Sequence, residues 1–161
     1  VNIQPVGFLE TENFLATFVL KYRSLLSADL NGVDTLLLRS ATEDTQLLKD
    51  WKQARSLLSK IRNGATKFLD GKPAEFGCVE LQRFRAQSAT PWRIDDDNGC
   101  YRLHLCIVPS PGLWMMSGVE RAMIPVGNLN FVEHTVLHSE ANFSDHAAVH
   151  LVIDVRKPDV D

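Results

Sequence analysis

The sequence lacks most of the features that assign a chain to a specialised class. No apolar run approaches the ~18 residues that a membrane-spanning helix needs, so no membrane partner is expected. Charge of one sign is missing as well. Lys and Arg number 17 against 20 Asp and Glu, a formal charge of −3, which argues against a dedicated nucleic-acid binder, since that would need a basic face. There are only three cysteines, Cys78, Cys100 and Cys106, and no CxxC pair, which argues against a disulfide framework or a zinc knuckle. Three reduced, mostly buried thiols are expected, as in a cytoplasmic protein. Asn142-Phe143-Ser144 spells a glycosylation sequon, but no signal peptide accompanies it. Repeats, low-complexity tracts and domain-dividing linkers are absent. What remains is a chain of 161 residues with 45% apolar content, enough to bury a core as one domain over 1–161.

Two zones divide that domain. Residues 1–74 read as a helical layer with one strand. Phe14, Phe18, Tyr22 and Leu25 stand at helical spacing within 10–28, and Leu36-Leu37-Leu38 reads as a short buried strand. Ala54, Leu57, Leu58, Ile61, Ala65, Phe68 and Leu69 give 46–70 a 3.6-residue period that Gly71, Lys72 and Pro73 end. From residue 75 the period changes to two. Short apolar segments alternate with turn chemistry at Asn98-Gly99, Pro109 to Gly112, Gly118, Pro125 to Gly127 and Asn142 to Asp145, which predicts a β-barrel core over 75–157. Helices first and strands after is an α+β layout.

The stretch from Pro91 to Leu105 is the richest in chemistry. Asn-Gly between alternating segments predicts a two-residue hairpin turn. That register sets Asp95 opposite Arg102 and Arg93 opposite His104. Arg93, Asp95, Arg102 and His104 then share one face, with Trp92, Ile94, Leu103 and Leu105 on the apolar other. In the second informative stretch, His134, His138, His146 and His150 fall between Phe131 and Val155. The i, i+4 spacing of His134 and His138 would suit zinc on a helix, but the alternating context favours strand and loop. Ser139 beside His138 is no nucleophile–base pair, because adjacent strand residues point to opposite faces. Asp95-Asp96-Asp97 lacks the spaced ligands of a calcium loop, and Met115-Met116 beside Trp114 reads as core or pocket wall.

These residues together carry a resemblance. Asn98-Gly99-Cys100-Tyr101-Arg102-Leu103-His104-Leu105, Gly127 to Phe131, His138-Ser139 with Asn142, Ser144 and Asp145, and Val149 to Asp154 resemble the aspartyl/asparaginyl β-hydroxylase family of Fe(II)/2-oxoglutarate dioxygenases. The match runs over about Val79 to Val155, and Asp34 to Arg39 fits the strand before the barrel. The resemblance implies a double-stranded β-helix, a jelly-roll or cupin-like barrel, with the N-terminal helices packed on it. It implies Fe(II) and 2-oxoglutarate as cofactors and hydroxylation of an amino acid or peptide residue. It also implies metal ligands at Asp95 and His138, and cosubstrate- or substrate-binding residues at Arg102 and His104. The same pattern puts a first His where this chain has Arg93, and a 2-oxoglutarate-binding Arg where it has Ala148. His150, two residues past Ala148 on the same strand face, is a candidate substitute.

Two readings of those departures stay open. In one, an oxygenase works with a rearranged site: Asp95 and His138 hold iron, His134 is in reserve as a ligand, and Arg93 or Arg102 serves as the catalytic cation that receives the 2-oxoglutarate carboxylate. In the other, a degenerate cupin-like domain binds a carboxylate or other anion with no metal, and Arg93 supplies the missing positive charge opposite Asp95. Either implies a small-molecule or peptide substrate bearing a carboxylate.

Overall fold

The computed structural model describes residues 1–28 and 32–159. The chain opens on strand β1 (Ile3–Phe8) and helix α1 (Glu12–Thr17), which widens into a π turn over Phe18–Tyr22 and tightens over Arg23–Leu25. Strands β2 (Ser27–Ala28) and β3 (Val33–Arg39) precede helices α2 (Gln46–Asp50) and α3 (Lys52–Phe68). The remaining strands are β4 (Phe76–Phe84), β5 (Ser88–Ala89), β6 (Cys100–Val108), β7 (Leu113–Ser117), β8 (Glu120–Ala122), β9 (Asn128–Val132), β10 (His138–Asn142) and β11 (Ala148–Arg156). They form a seven-stranded sheet of order β1-β9-β6-β11-β4-β3-β2 and a four-stranded sheet of order β5-β10-β7-β8. All pairings are antiparallel. Two facing sheets with helices on one outer side are the double-stranded β-helix expected from the sequence.

The N-terminal zone is richer in strands than its pattern suggests: it holds three, not one. β1 pairs with β9 at the sheet edge. Its sequence, IQPVGF, carries a Pro and a Gly where a strand reading needs apolar alternation, and both are tolerated because the strand lies at an edge. The helix predicted over 46–70 is broken at Trp51, whose ψ of 88° leaves the helical region. The break turns the indole inward, where its Nε1 donates to Thr17 Oγ1 at 2.8 Å. Phe14, Phe18 and Tyr22 pack on it, with ring centroids 4.6, 6.4 and 4.1 Å away. Side chains four apart drift around an ordinary α-helix, and the wider π turn returns Tyr22 to the face of Phe14.

Each face of the large sheet has its own core. Leu103 and Leu105 of β6, Leu151 and Ile153 of β11, and Val79 and Leu81 of β4 pack outward against Trp51, Leu57, Leu58 and Ile61. Between the sheets, Val33, Phe84, Cys106, Leu113, Met115, Ile124, Val132 and Ala148 form a smaller apolar cluster. Cys100 and Cys106 are buried and Cys78 is half-buried, all as free thiols, and burial pushes the Cys106 thiol up to about 12. Gly127 closes the turn before β9 at a φ of +79°, where a Cβ would come within 2.6 Å of the Phe8 ring. No helix among the described residues is long and apolar enough to cross a membrane.

The inner face also holds two imidazoles with almost no water. His104 and His150 are 2% and 1% exposed, and their Nδ1 atoms meet at 3.3 Å, so one ring donates and the other accepts. Burial holds both well below the ordinary imidazole range, His150 at about 3, and His150 itself further lowers His104.

Two predictions follow from this packing. Trp51→Ala removes the ring on which α1 and the π turn stack. Urea unfolding should show a loss of about 3–5 kcal/mol, the range for large buried aromatics; a loss below 1 kcal/mol would show that α1 is not anchored there. The second concerns acid. An unfolded histidine gains its proton near pH 6.5, whereas the native rings stay neutral to about pH 3 for His150. The unfolded state therefore binds more protons below pH 6.5, and stability falls as pH drops through that window. The slope is up to about 1.4 kcal/mol per pH unit for each buried ring. Urea midpoints at pH 7.5, 6 and 5 check this; no loss between pH 6 and 5 would contradict it.

Candidate functional site

The polar alternates of β6 and β11 point between the sheets toward β10. Arg102 stands opposite Asp154 in the β6–β11 ladder, and its Nε donates to Asp154 Oδ1 at 3.0 Å. Its Nη1 reaches further and donates to Asp95 Oδ2 at 2.6 Å. One guanidinium thus joins the large sheet to the segment that precedes it. Burial alone would raise the Asp95 carboxyl, but the Arg102 hydrogen bond and charge, with His138 and Arg93 nearby, hold it below the usual carboxylate range.

The predicted hairpin does not form. Both edges of β6 are taken, by β9 and by β11, so residues 92–97 have no place beside it. They run instead along β10: Arg93 and His138 exchange backbone hydrogen bonds of 3.0 and 2.8 Å, and Asp95 N donates to the His134 carbonyl at 3.0 Å. The Asn98-Gly99 turn is built by side chains. Asp97 Oδ1 accepts from Gly99 N, and Asn98 Oδ1 accepts from Cys100 N, as Asx turns do. Trp92 and Ile94, expected in the core, are 54% and 64% exposed. Arg93, Asp95, Arg102 and His104 still come together, but across the two sheets rather than on one hairpin face.

His138 sits on β10, 2% exposed. Its Nδ1 lies 2.9 Å from the Val136 carbonyl, which can only accept, so Nδ1 carries the proton. In the neutral ring Nε2 then presents a lone pair. Nε2 is buried with no hydrogen-bond partner, and it faces Asp95 Oδ2 at 3.6 Å. Two electron-pair donors aimed at one gap repel each other unless something positive lies between them.

Arg93 is held mainly by a residue the sequence reading missed. Glu140 shares the inner face of β10 with His138, and its carboxylate takes Arg93 in a fork, with Nη1 to Oε2 at 3.0 Å and Nη2 to Oε1 at 3.2 Å. Thr90 Oγ1 adds a bond to each partner. The contact from Arg93 Nε to Asp95 is longer, 3.5 Å. The available signal was the His138-x-Glu140 spacing, which puts both side chains on one face of a strand. The cluster holds Asp95, Glu140 and Asp154 against Arg93 and Arg102, so it is net negative rather than the concentration of positive charge that two arginines suggest.

Around this cluster lie other candidates. His134 is 2% exposed with neither ring nitrogen partnered, and Asn130 Oδ1 is likewise buried and unpaired. Burial and then the Arg102 charge push the His134 ring below the ordinary range. His104 and His150 answer each other rather than an open space. Ala148 lies in the apolar cluster between the sheets and offers no cation. His146 sits in the loop before β11, where its carbonyl accepts from Asn142.

The donor set fits a divalent cation through two residues. His138 Nε2 and Asp95 Oδ2 supply one imidazole and one carboxylate, one imidazole short of the two-His, one-carboxylate set of non-haem iron oxygenases. Among the described residues no group of three or more His, Cys, Asp or Glu is placed to hold a metal, so water or a bound cosubstrate would complete the shell.

No protein-family model matches the chain, and no curated protein matches it. Solved structures do. The viral collagen prolyl hydroxylase vCPH from Paramecium bursaria Chlorella virus-1, in its 2-oxoglutarate complex, is 13% identical. The match has a TM-score of 0.69 and covers 98% of this chain and 97% of that one. The non-haem α-ketoglutarate-dependent epimerase SnoN from nogalamycin biosynthesis is 16% identical, with a TM-score of 0.66 and coverage of 96% and 76%. An oxidoreductase of the 2OG-Fe(II) oxygenase family from Burkholderia pseudomallei is 8% identical, with a TM-score of 0.63 and coverage of 90% and 78%. At these identities the likeness is one of fold. These structures share the double-stranded β-helix of this chain, and the likeness does not single out the aspartyl/asparaginyl β-hydroxylases.

Proposed function

We propose that the protein is an Fe(II)/2-oxoglutarate-dependent oxygenase whose metal is held by Asp95 and His138. The observation that carries this reading is the unpartnered, buried Nε2 of His138 facing Asp95 Oδ2 at 3.6 Å. Bound iron would supply the oxidative chemistry, with O₂ and 2-oxoglutarate as co-reactants. The chain's own residues do the rest. The Val136 carbonyl fixes the His138 tautomer, as outer partners of metal ligands commonly do. Arg102 orients the Asp95 carboxylate and is the cation nearest to receive a cosubstrate carboxylate. Arg93, clamped by Glu140, fills the space where the resemblance puts a third ligand. The motif from Asn98 to Leu105 supports an amino acid or peptide residue as the group hydroxylated.

A second reading, metal-free binding of an anion, is favoured by one observation: two guanidiniums flank Asp95. Charge weighs against it. Three carboxylates against two guanidiniums leave the cluster net negative, which repels an anion until a cation has entered. The two readings therefore predict opposite dependences. Calorimetry should show 2-oxoglutarate binding only after Mn(II) or anaerobic Fe(II) is added, and His138→Ala should weaken metal binding at least tenfold. Fe(II), O₂ and 2-oxoglutarate together should yield succinate. Binding of 2-oxoglutarate without metal, and no metal uptake at saturating Fe(II), would overturn the oxygenase reading in favour of the anion pocket.

A further inference from the structure

A cleft of about 470 Å³ opens on the far side of Arg93, between β3, β4 and β10. Thr35, Glu80, Gln82, Thr90, Arg93 and Glu140 give it polar walls, and Val33 and Pro91 add apolar surface. Arg93 is its common wall with the Asp95–His138 pair. The charges within it do not balance. Arg93 is already neutralised by the fork from Glu140. Glu80 has no such partner: its Oε1 accepts from the neutral Gln82 amide at 2.6 Å, and no cation among the described residues pairs with it.

A carboxylate that has only an amide for company, half-buried in a polar cleft, is poised for a hydrogen-bonding cation. Thr35 supplies a further oxygen on the same walls. We infer that this cleft receives the substrate and selects an amine-bearing group, with Glu80 as the residue that recognises the charge. The inference rests on the oxygenase reading only for the word substrate; the preference for a cation follows from the walls themselves. It departs from the carboxylate-bearing substrate expected from the sequence, because that expectation counted Arg93 and Arg102 without Glu140, Glu80 and Asp154.

Three small probes of one shape separate the possibilities: n-butylamine, n-butanol and n-butyrate. They are titrated into the metal-free protein while the backbone amides of Thr35, Gln82 and Thr90 are followed by NMR. Butylamine should move those signals in a saturable way, and butyrate should not. Glu80→Gln, which keeps the shape and removes the charge, should weaken butylamine at least tenfold, and Glu80→Lys should transfer the preference to butyrate. Equal responses to all three probes, or an unchanged butylamine affinity in Glu80→Gln, would overturn the inference. Because the titration contains no metal, failure here leaves the Asp95–His138 reading standing. Absence of metal uptake with butylamine still bound would sink that reading alone.

Discussion

Strands β6 and β11 are neighbours in the middle of the large sheet, each hydrogen-bonded on both edges. Their side chains must alternate between two environments, and the alternation is chemical as well as geometric. Leu103, Leu105, Leu151 and Ile153 meet the helices, while Arg102, His104, His150 and Asp154 enter the space between the sheets. A slip of one residue in either strand would put charges under the helices and leucines in the site. The apolar face therefore sets the register, and the register delivers the polar face. The Trp51 cluster and α3 contribute to function in this indirect way, by making only one register affordable.

Within the barrel, polar groups are sorted by whether something answers them. The His104–His150 pair is closed on itself and kept neutral by burial. The Arg93–Glu140 fork and the Asp154–Arg102–Asp95 bridge are closed by charge. Among the described residues, what stays buried and unanswered is small: His138 Nε2, the two nitrogens of His134 and Asn130 Oδ1. Buried polar atoms without partners are rare because they cost stability, and here they lie on β9 or β10 or in the loop between them, beside the segment that bears Asp95. The unanswered His138 Nε2 and the net negative charge are the two features on which the proposed cation site rests.

Much of this was legible from residue order. The alternation of 100–105 showed in the sequence, as did the pairing of Asp95 with Arg102, and the barrel followed from turns at regular intervals. The hairpin misled because its turn signal is local, whereas whether residues 92–97 may pair with β6 depends on β9 and β11 having claimed both edges. Trp92 and Ile94 look like core by alternation alone and are exposed for the same reason. Glu140 escaped notice because its spacing from His138 marks only a shared strand face; the position of Arg93 across the backbone is what gives it a role. The break at Trp51 was equally hidden, since the helical period continues through it.

The fork between Arg93 and Glu140 has one more consequence. Residues 92–97 are tied down by two backbone hydrogen bonds between Arg93 and β10 and one from Asp95 to the loop before it, and side-chain charge pairs add to the placement of the Asp95 carboxylate. A guanidinium keeps its proton throughout the working range, and alkali leaves such a clamp intact. Dissolved salt reaches it only weakly: even at 1 M the Debye length of about 3 Å is no shorter than the contact, and partly buried pairs are screened much less than exposed ones. Arg93 is partly open to solvent, but the Glu140 side chain is only 5% exposed, so this corner of the site keeps its geometry through alkaline pH and raised ionic strength alike.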